Sequence, residues 1–219
     1  MKTILCYGDS NLRGFVAGSF DEKTELSGRM PRNKRWTGIL QHKLGDRYDV
    51  IEEGLNGRTT NLDEILPGRP YRNGFTHLPM MLESHFPIDL VIFNLGTNDT
   101  KVQYHRSAHD IANGMRELAV LVTTSNKGPD GTAPKVLLIA PPPMLEVALR
   151  DDSPWDQNSI QVSRNLGASY KQLAKETGCA FLDASLIVKA CEVDGVHLDE
   201  HHAEILGNAV VNEVRQILR

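Results

Sequence analysis

Two uninterrupted apolar runs, Leu90-Val91-Ile92-Phe93 and Val136-Leu137-Leu138-Ile139, restrict what this chain can fold into more than any other feature. A strand with one wet face alternates apolar and polar side chains, so a run of this kind at strand length requires cover on both faces. Further strand-like runs fall at 3–7, 48–52 and 179–182, and the two apolar runs extend to 90–95 and 135–140. Helical periodicity fills the spaces between them. Ile111, Ala112, Met115, Leu118, Ala119 and Val122 recur at i, i+3 and i+4 spacing, as do Val162, Leu166, Tyr170, Leu173 and Ala174 ahead of the stop signal Gly178. Leu206, Val210, Val214, Ile217 and Leu218 mark a last helix, and another is expected to start at Trp36 as a core residue. Strands alternating with helices of this length need right-handed crossovers, which give a parallel sheet with helices on both faces.

A length of 219 residues suits one domain, 1–219, and 40% hydrophobic residues supply enough apolar mass for its core. The balance of 24 Lys+Arg against 28 Asp+Glu, a net charge of -4, is not that of a nucleic-acid binder. One basic cluster, Arg29, Arg32, Lys34 and Arg35, reads as a solvated loop. The apolar run Ile4-Leu5-Cys6-Tyr7 is too short for a signal peptide, and no segment has the length of a membrane span, so neither export nor a membrane partner is expected. Cys6, Cys179 and Cys191 form an odd set without CxxC spacing, which reads as free thiols in a reducing cytoplasm.

Three segments rich in Gly, Pro and charge, 16–34, 63–75 and 141–157, break the alternation. In an open α/β sheet the loops beyond the strands' carboxyl ends build the binding crevice, so chemistry is expected there. Four short motifs fall at those ends. Gly8-Asp9-Ser10-Asn11 follows the first strand and places a serine on a strand-to-helix turn, where helix N–H groups and dipole favour an oxyanion. Gly54-Leu55-Asn56-Gly57 follows the second strand, with a backbone N–H free to point at the same spot. Gly96-Thr97-Asn98-Asp99 ends the most apolar strand and offers the Asn98 amide as a further donor. Asp194-Gly195-Val196-His197 precedes the last helix, with Asp194 spaced to orient one ring nitrogen of His197 and leave the other as a base. Each motif alone has an ordinary reading as a turn, a cap or a helix entry. Together they supply a nucleophile, oxyanion donors and an oriented base on one rim.

In order and spacing, Gly8-Asp9-Ser10, Gly57, Gly96-Thr97-Asn98-Asp99 and Asp194-x-x-His197 resemble the four blocks of the SGNH (GDSL-like) hydrolase family over nearly the full chain. Within it the stretches Arg35-Trp36-Thr37-Gly38, 52–61 and 95–101 are similar to the bacterial arylesterase/acyltransferase subgroup. The resemblance implies a flavodoxin-like, doubly wound three-layer α/β/α sandwich on a five-stranded parallel sheet. It implies Ser10, Asp194 and His197 as catalytic residues, with the N–H groups of Ser10 and Gly57 and the Asn98 side chain as the oxyanion hole. Asn11 and Leu12, next to the nucleophile, are expected to contact substrate; Asn11 stands where the commonest family motif has Leu. The implied activity is hydrolysis of small aryl or short-chain alkyl esters through an acyl-serine, with acyl transfer to alcohols where the long loops exclude water. Carbohydrate O-acetyl esterase, lysophospholipase and thioesterase activities belong to the same family. No cofactor or metal is implied, and a homo-oligomer is.

Other residues carry less. His201 and His202 read as a polar helix start, because no Asp-x-His or Cys partner lies near them. Asp9 and Asp99 read as caps or braces of their turns. A metal-dependent phosphoesterase also uses Gly-Asp turns but needs an Asp-x-His at the first strand, which this chain lacks. A flavodoxin-like binding module would hold a phosphate at the first loop and has no use for the distant Asp194–His197 pair.

Overall fold

The computed structural model describes residues 1–21, 23–24, 26–64 and 70–219. Strands β1 (Lys2–Gly8), β2 (Tyr48–Gly54), β3 (Leu90–Asn94), β4 (Lys135–Ala140) and β5 (Ala180–Asp183) pair in parallel in the order β2-β1-β3-β4-β5. Helices α1 (Ser10–Arg13), α2 (Trp36–Leu44), α3 (Gly74–His85), α4 (Ala108–Thr123), α5 (Gln157–Thr177) and α6 (Glu200–Ile217) connect and flank them.

The two apolar runs are β3 and β4, and their alternate residues feed two separate cores. Leu90, Ile92, Leu137 and Ile139 pack with Trp36 and Leu40 of α2 and Leu206, Val210 and Val214 of α6. Val91, Phe93, Val136 and Leu138 pack on the other face with Leu78 and Leu82 of α3, Ile111, Met115 and Leu118 of α4, and Leu166 and Tyr170 of α5. Each of these side chains gains about 1.5–3 kcal/mol from leaving water, so neither face tolerates a polar residue. The layering is the expected α/β/α sandwich.

The three long helices, α4, α5 and α6, each start where a side chain caps them, Asp199 serving α6. Ser107 and Asp110 form a capping box on α4, Asp156 and Ser159 one on α5, and Gly178 ends α5 in the left-handed region at φ 72°. Helix α3 has no counterpart among the sequence expectations: it starts inside the segment 63–75, and Pro79 in its interior breaks the helical signal. Residues 65–69 of that segment, and 22 and 25 of segment 16–34, lie outside the described residues. Segment 141–157 is tied down by a 3₁₀ turn, Glu146–Ala148, and by the Leu145 N–H donating to the Gly195 carbonyl at 2.9 Å.

The basic cluster is only partly a solvated loop. Arg29, Arg32 and Lys34 are exposed, but Arg35 is buried and its guanidinium meets Glu52 at 2.8 Å. The Arg35 stem also fills the space beside Gly14, which ends α1. Among the described residues no helix is long and apolar enough to cross a membrane.

Register then fixes the rim. Gly8 at the end of β1 lies beside Gly54 of β2 and Asn94 of β3, so the turns that follow these strands leave the sheet side by side. The chain reverses its winding direction between β1 and β3, and crevices of doubly wound sheets open at that point.

Candidate active site

Ser10 starts α1, with Asp9 as its N-cap accepting the Asn11 N–H at 2.9 Å. The helix is four residues long, because Gly14 turns left-handed at φ 80° and the Gly14 and Phe15 N–H groups both close onto the Ser10 carbonyl at 3.0 Å. One turn carries little macrodipole, so an anion beside Ser10 depends on discrete N–H donors rather than on a helix field.

The turn Asp194–His197 reaches Ser10 from the far end of the chain. Asp194 Oδ1 accepts the N–H groups of Val196 and His197, each at 3.0 Å, which fixes the turn on its own carboxylate. Its Oδ2 lies 2.7 Å from His197 Nδ1, and His197 Nε2 lies 2.9 Å from Ser10 Oγ. Burial pushes the Asp194 carboxyl up, but the hydrogen bond and charge of His197 and the two backbone donors outweigh it and hold the group at about 2. An ionised carboxylate can only accept, so the His197 proton belongs on Nδ1, and Nε2 presents its lone pair to the Ser10 hydroxyl. The Phe15 ring stacks on the imidazole at a centroid distance of 4.1 Å and an interplanar angle of 22°.

The three candidate oxyanion donors are laced together from below. The Leu55 N–H and the Arg58 guanidinium both donate to the Gly8 carbonyl, at 3.1 and 3.0 Å, and the guanidinium also donates to the Glu53 carbonyl. The Arg58 carbonyl in turn accepts from Asn98 Nδ2 at 3.1 Å. Arg58 is thus a hub for the ends of β1, β2 and β3, and its guanidinium lies 4.0 Å above the Tyr7 ring. Gly57 holds φ 80°, which a side chain at that position would strain. Neither the Ser10 N–H nor the buried Gly57 N–H finds an acceptor among the described residues. A carboxamide has two N–H bonds, so Asn98 keeps one after serving Arg58.

Asp9 and Asp99 act as the expected braces. Asp99 is fully buried and accepts the N–H and hydroxyl of Thr60, with Arg106 at 3.4 Å. Burial pushes both carboxyls up to about 6, and Asp9 Oδ2 has no partner among the described residues.

Asn11 and Leu12 do not go where a substrate role requires. Leu12 is fully buried in the α2/α6 core, and Asn11 turns its amide onto the backbone at Val196 and Leu198. Leu12 is drawn into that core by its apolar neighbours, and Asn11 by the two backbone groups that flank His197. His201 and His202 do start α6, with His202 bonded to the cap Asp199 at 2.8 Å. The cysteines are free; Cys6 and Cys191 are buried and Cys179 half-buried. Cys191 is closer to the chemistry than its spacing implied, with its Sγ 3.7 Å from Asp194 Oδ1. Phe15, Arg58 and Cys191 are the participants that motif reading missed. Only Arg58 carried a signal, through the subgroup stretch 52–61.

A profile of the GDSL-like lipase/acylhydrolase family matches residues 6–204. Among solved structures, a carbohydrate acetylesterase from Sinorhizobium meliloti is 39% identical, with 99% of this chain and 100% of that one covered at a TM-score of 0.88. An aryl esterase from M. smegmatis is 38% identical over the same shares at 0.88. A putative arylesterase from Agrobacterium tumefaciens is 38% identical over the same shares at 0.86. No curated protein sequence is similar enough to count as a match.

Proposed function

Because the chain belongs to the GDSL-like lipase/acylhydrolase family, and so to the ester-hydrolysing enzymes, we propose that it cleaves small carboxylic esters through an acyl-Ser10 intermediate. The observation that carries this reading is the continuous relay from Asp194 Oδ2 through His197 to Ser10 Oγ at 2.7 and 2.9 Å. In the first step Ser10 Oγ attacks the ester carbonyl carbon while its proton passes to His197 Nε2. The carbonyl oxygen becomes an oxyanion within reach of the Ser10 and Gly57 N–H groups and Asn98 Nδ2. Collapse expels the alcohol, which takes the proton from Nε2, and leaves the acyl group on Oγ. Water then attacks that carbonyl, loses its proton to Nε2, and the acid departs as Oγ regains a proton. Asp194 stays ionised throughout and holds the imidazolium.

The similar structures point to a short acyl group on an aryl or carbohydrate alcohol. Transfer to an alcohol in place of water is the expected side reaction. A fluorophosphonate probe tests the mechanism: it labels the wild type, and labelling and ester turnover both vanish in Ser10→Ala. An unlabelled, folded wild type refutes it. A rate series from acetate to octanoate esters, expected to fall with chain length, tests the acyl preference.

A further inference from the structure

We propose that Asn11 is a positioning residue, a carboxamide clamp that fixes the distance between the Ser10 turn and the His197 turn. The proposal rests on the acyl-Ser10 reading above. Asn11 follows Ser10 directly, so a restraint on it is a restraint on the backbone that carries Ser10. Its Oδ1 accepts the Leu198 N–H at 2.9 Å and its Nδ2 donates to the Val196 carbonyl at 3.4 Å. These two backbone groups flank His197, so one side chain grips both sides of the residue that carries the base. Asn11 and Leu198 are both buried, at 8% and 3% exposure, which keeps water from replacing either bond. The Asn11 N–H, bonded to Asp9 Oδ1 at 2.9 Å, ties the clamp to the cap of the serine turn.

The clamp joins the His197 turn to the serine turn, where the Leu145 N–H and the Cys191 N–H hold it to other segments. Asp194 orients the imidazole from within its own turn, and Phe15 covers one ring face. Neither contact holds the Asp194–His197 turn as a unit against α1. Among the described residues, direct hydrogen bonds between Ser10 or Asn11 and 194–198 are the Ser10–His197 bond itself and the two Asn11 bonds. Leucine, the commonest family residue here, can make neither bond and would leave the Leu198 N–H buried without an acceptor.

The experiment uses the full chain with p-nitrophenyl acetate and butyrate, fluorophosphonate inactivation, and thermal unfolding. In Asn11→Leu, kcat and the inactivation rate constant are expected to fall about 10- to 100-fold. KM and the acetate-to-butyrate ratio should stay within about threefold. Asn11→Asp keeps an oxygen for the Leu198 N–H and is expected to recover part of that loss. Should the Leu variant not fold, Asn11→Ser, too short to span both backbone groups, carries the same expectation. Undiminished kcat in a folded Leu or Ser variant overturns the clamp. So does a shifted acetate-to-butyrate ratio at an unchanged inactivation rate, which would make Asn11 a substrate contact. A wild type without Ser10 labelling would instead remove the acyl-Ser10 reading on which the clamp depends.

Discussion

Asp194 and the pair Asp9 and Asp99 stand at one edge of the sheet, yet their surroundings drive their acidities in opposite directions. Asp194 is held at about 2 by His197 and two backbone N–H groups against the effect of burial. Asp9 and Asp99 are buried completely, so desolvation outweighs the Asn11 N–H at Asp9 and the Thr60 and Arg106 donors at Asp99, and both rise to about 6. The difference separates two kinds of work. A carboxylate kept ionised beside an imidazole stabilises the charge that the ring acquires as it takes a proton. A carboxylate spent on Thr60 or on the Asn11 N–H shapes a turn, and its charge is a cost that the fold tolerates.

The comparison breaks most sharply at Asp194. Asp194→Asn keeps an oxygen for the Val196 and His197 N–H groups, so the turn should survive. An amide facing Nδ1 favours the wrong tautomer, however, and moves the proton to the nitrogen that must accept one. The expected loss in kcat is about 10⁴-fold, read from p-nitrophenyl acetate turnover, with the fold retained and stability near neutral pH lowered by up to about 2 kcal/mol. A loss below about tenfold would place Asp194 with the braces. Linkage adds a signature at low pH. The depressed folded pKa means that Asp194 contributes stability above the ordinary carboxylate range and loses it as pH falls from about 4 towards 2.

Asn98 sharpens the comparison from the donor side. One N–H of its amide serves the Arg58 carbonyl and the second is left for another acceptor, so it is both a brace and a candidate oxyanion donor. Asn98→Ala should lower kcat about 10²- to 10³-fold with KM little changed, because only the transition state carries the charge it serves. Full activity in that variant would leave Asn98 a brace alone and the nucleophile assignment intact.

The sequence carried some of this arrangement and not the rest, for physical reasons. β3 and β4 were legible because two-sided burial leaves no polar residue in the run, and α4 and α5 because one buried stripe repeats at helical spacing. Helix α3 was not, since Pro79 and an irregular apolar pattern obscure it. The motifs around Ser10, Gly57 and Asn98 follow the ends of β1, β2 and β3, which the register of Gly8 with Gly54 and Asn94 sets side by side, whereas Asp194–His197 lies well beyond the end of β5. Arg58 and Phe15 act through long-range packing, which leaves no local period. The surroundings of Asn11 and Leu12 were not legible because what holds them is distant in sequence, the α2/α6 core for Leu12 and the Val196 and Leu198 backbone for Asn11.

The smallest expected effect concerns Asp9, and it tests the other half of the comparison. Its folded pKa of about 6 lies above the ordinary carboxylate value, so the folded chain binds more protons than the unfolded chain between about pH 4 and 6. Stability from this group therefore rises as pH falls through that window and is lost again as pH climbs past 6, opposite in sign to Asp194. Asp9→Asn removes the charge, keeps an oxygen for the Asn11 N–H, and places an amide where Oδ2 lacks a partner. At pH 7 the variant should be more stable than the wild type by up to about 2 kcal/mol, roughly the scale of the acidity shift it abolishes. By pH 5 the gap should narrow. Urea unfolding at both pH values reads the difference directly. A variant that is less stable at pH 7, with the wild-type pH slope intact, would mean that the Asp9 charge is needed where it lies and that the two kinds of carboxylate are not distinct.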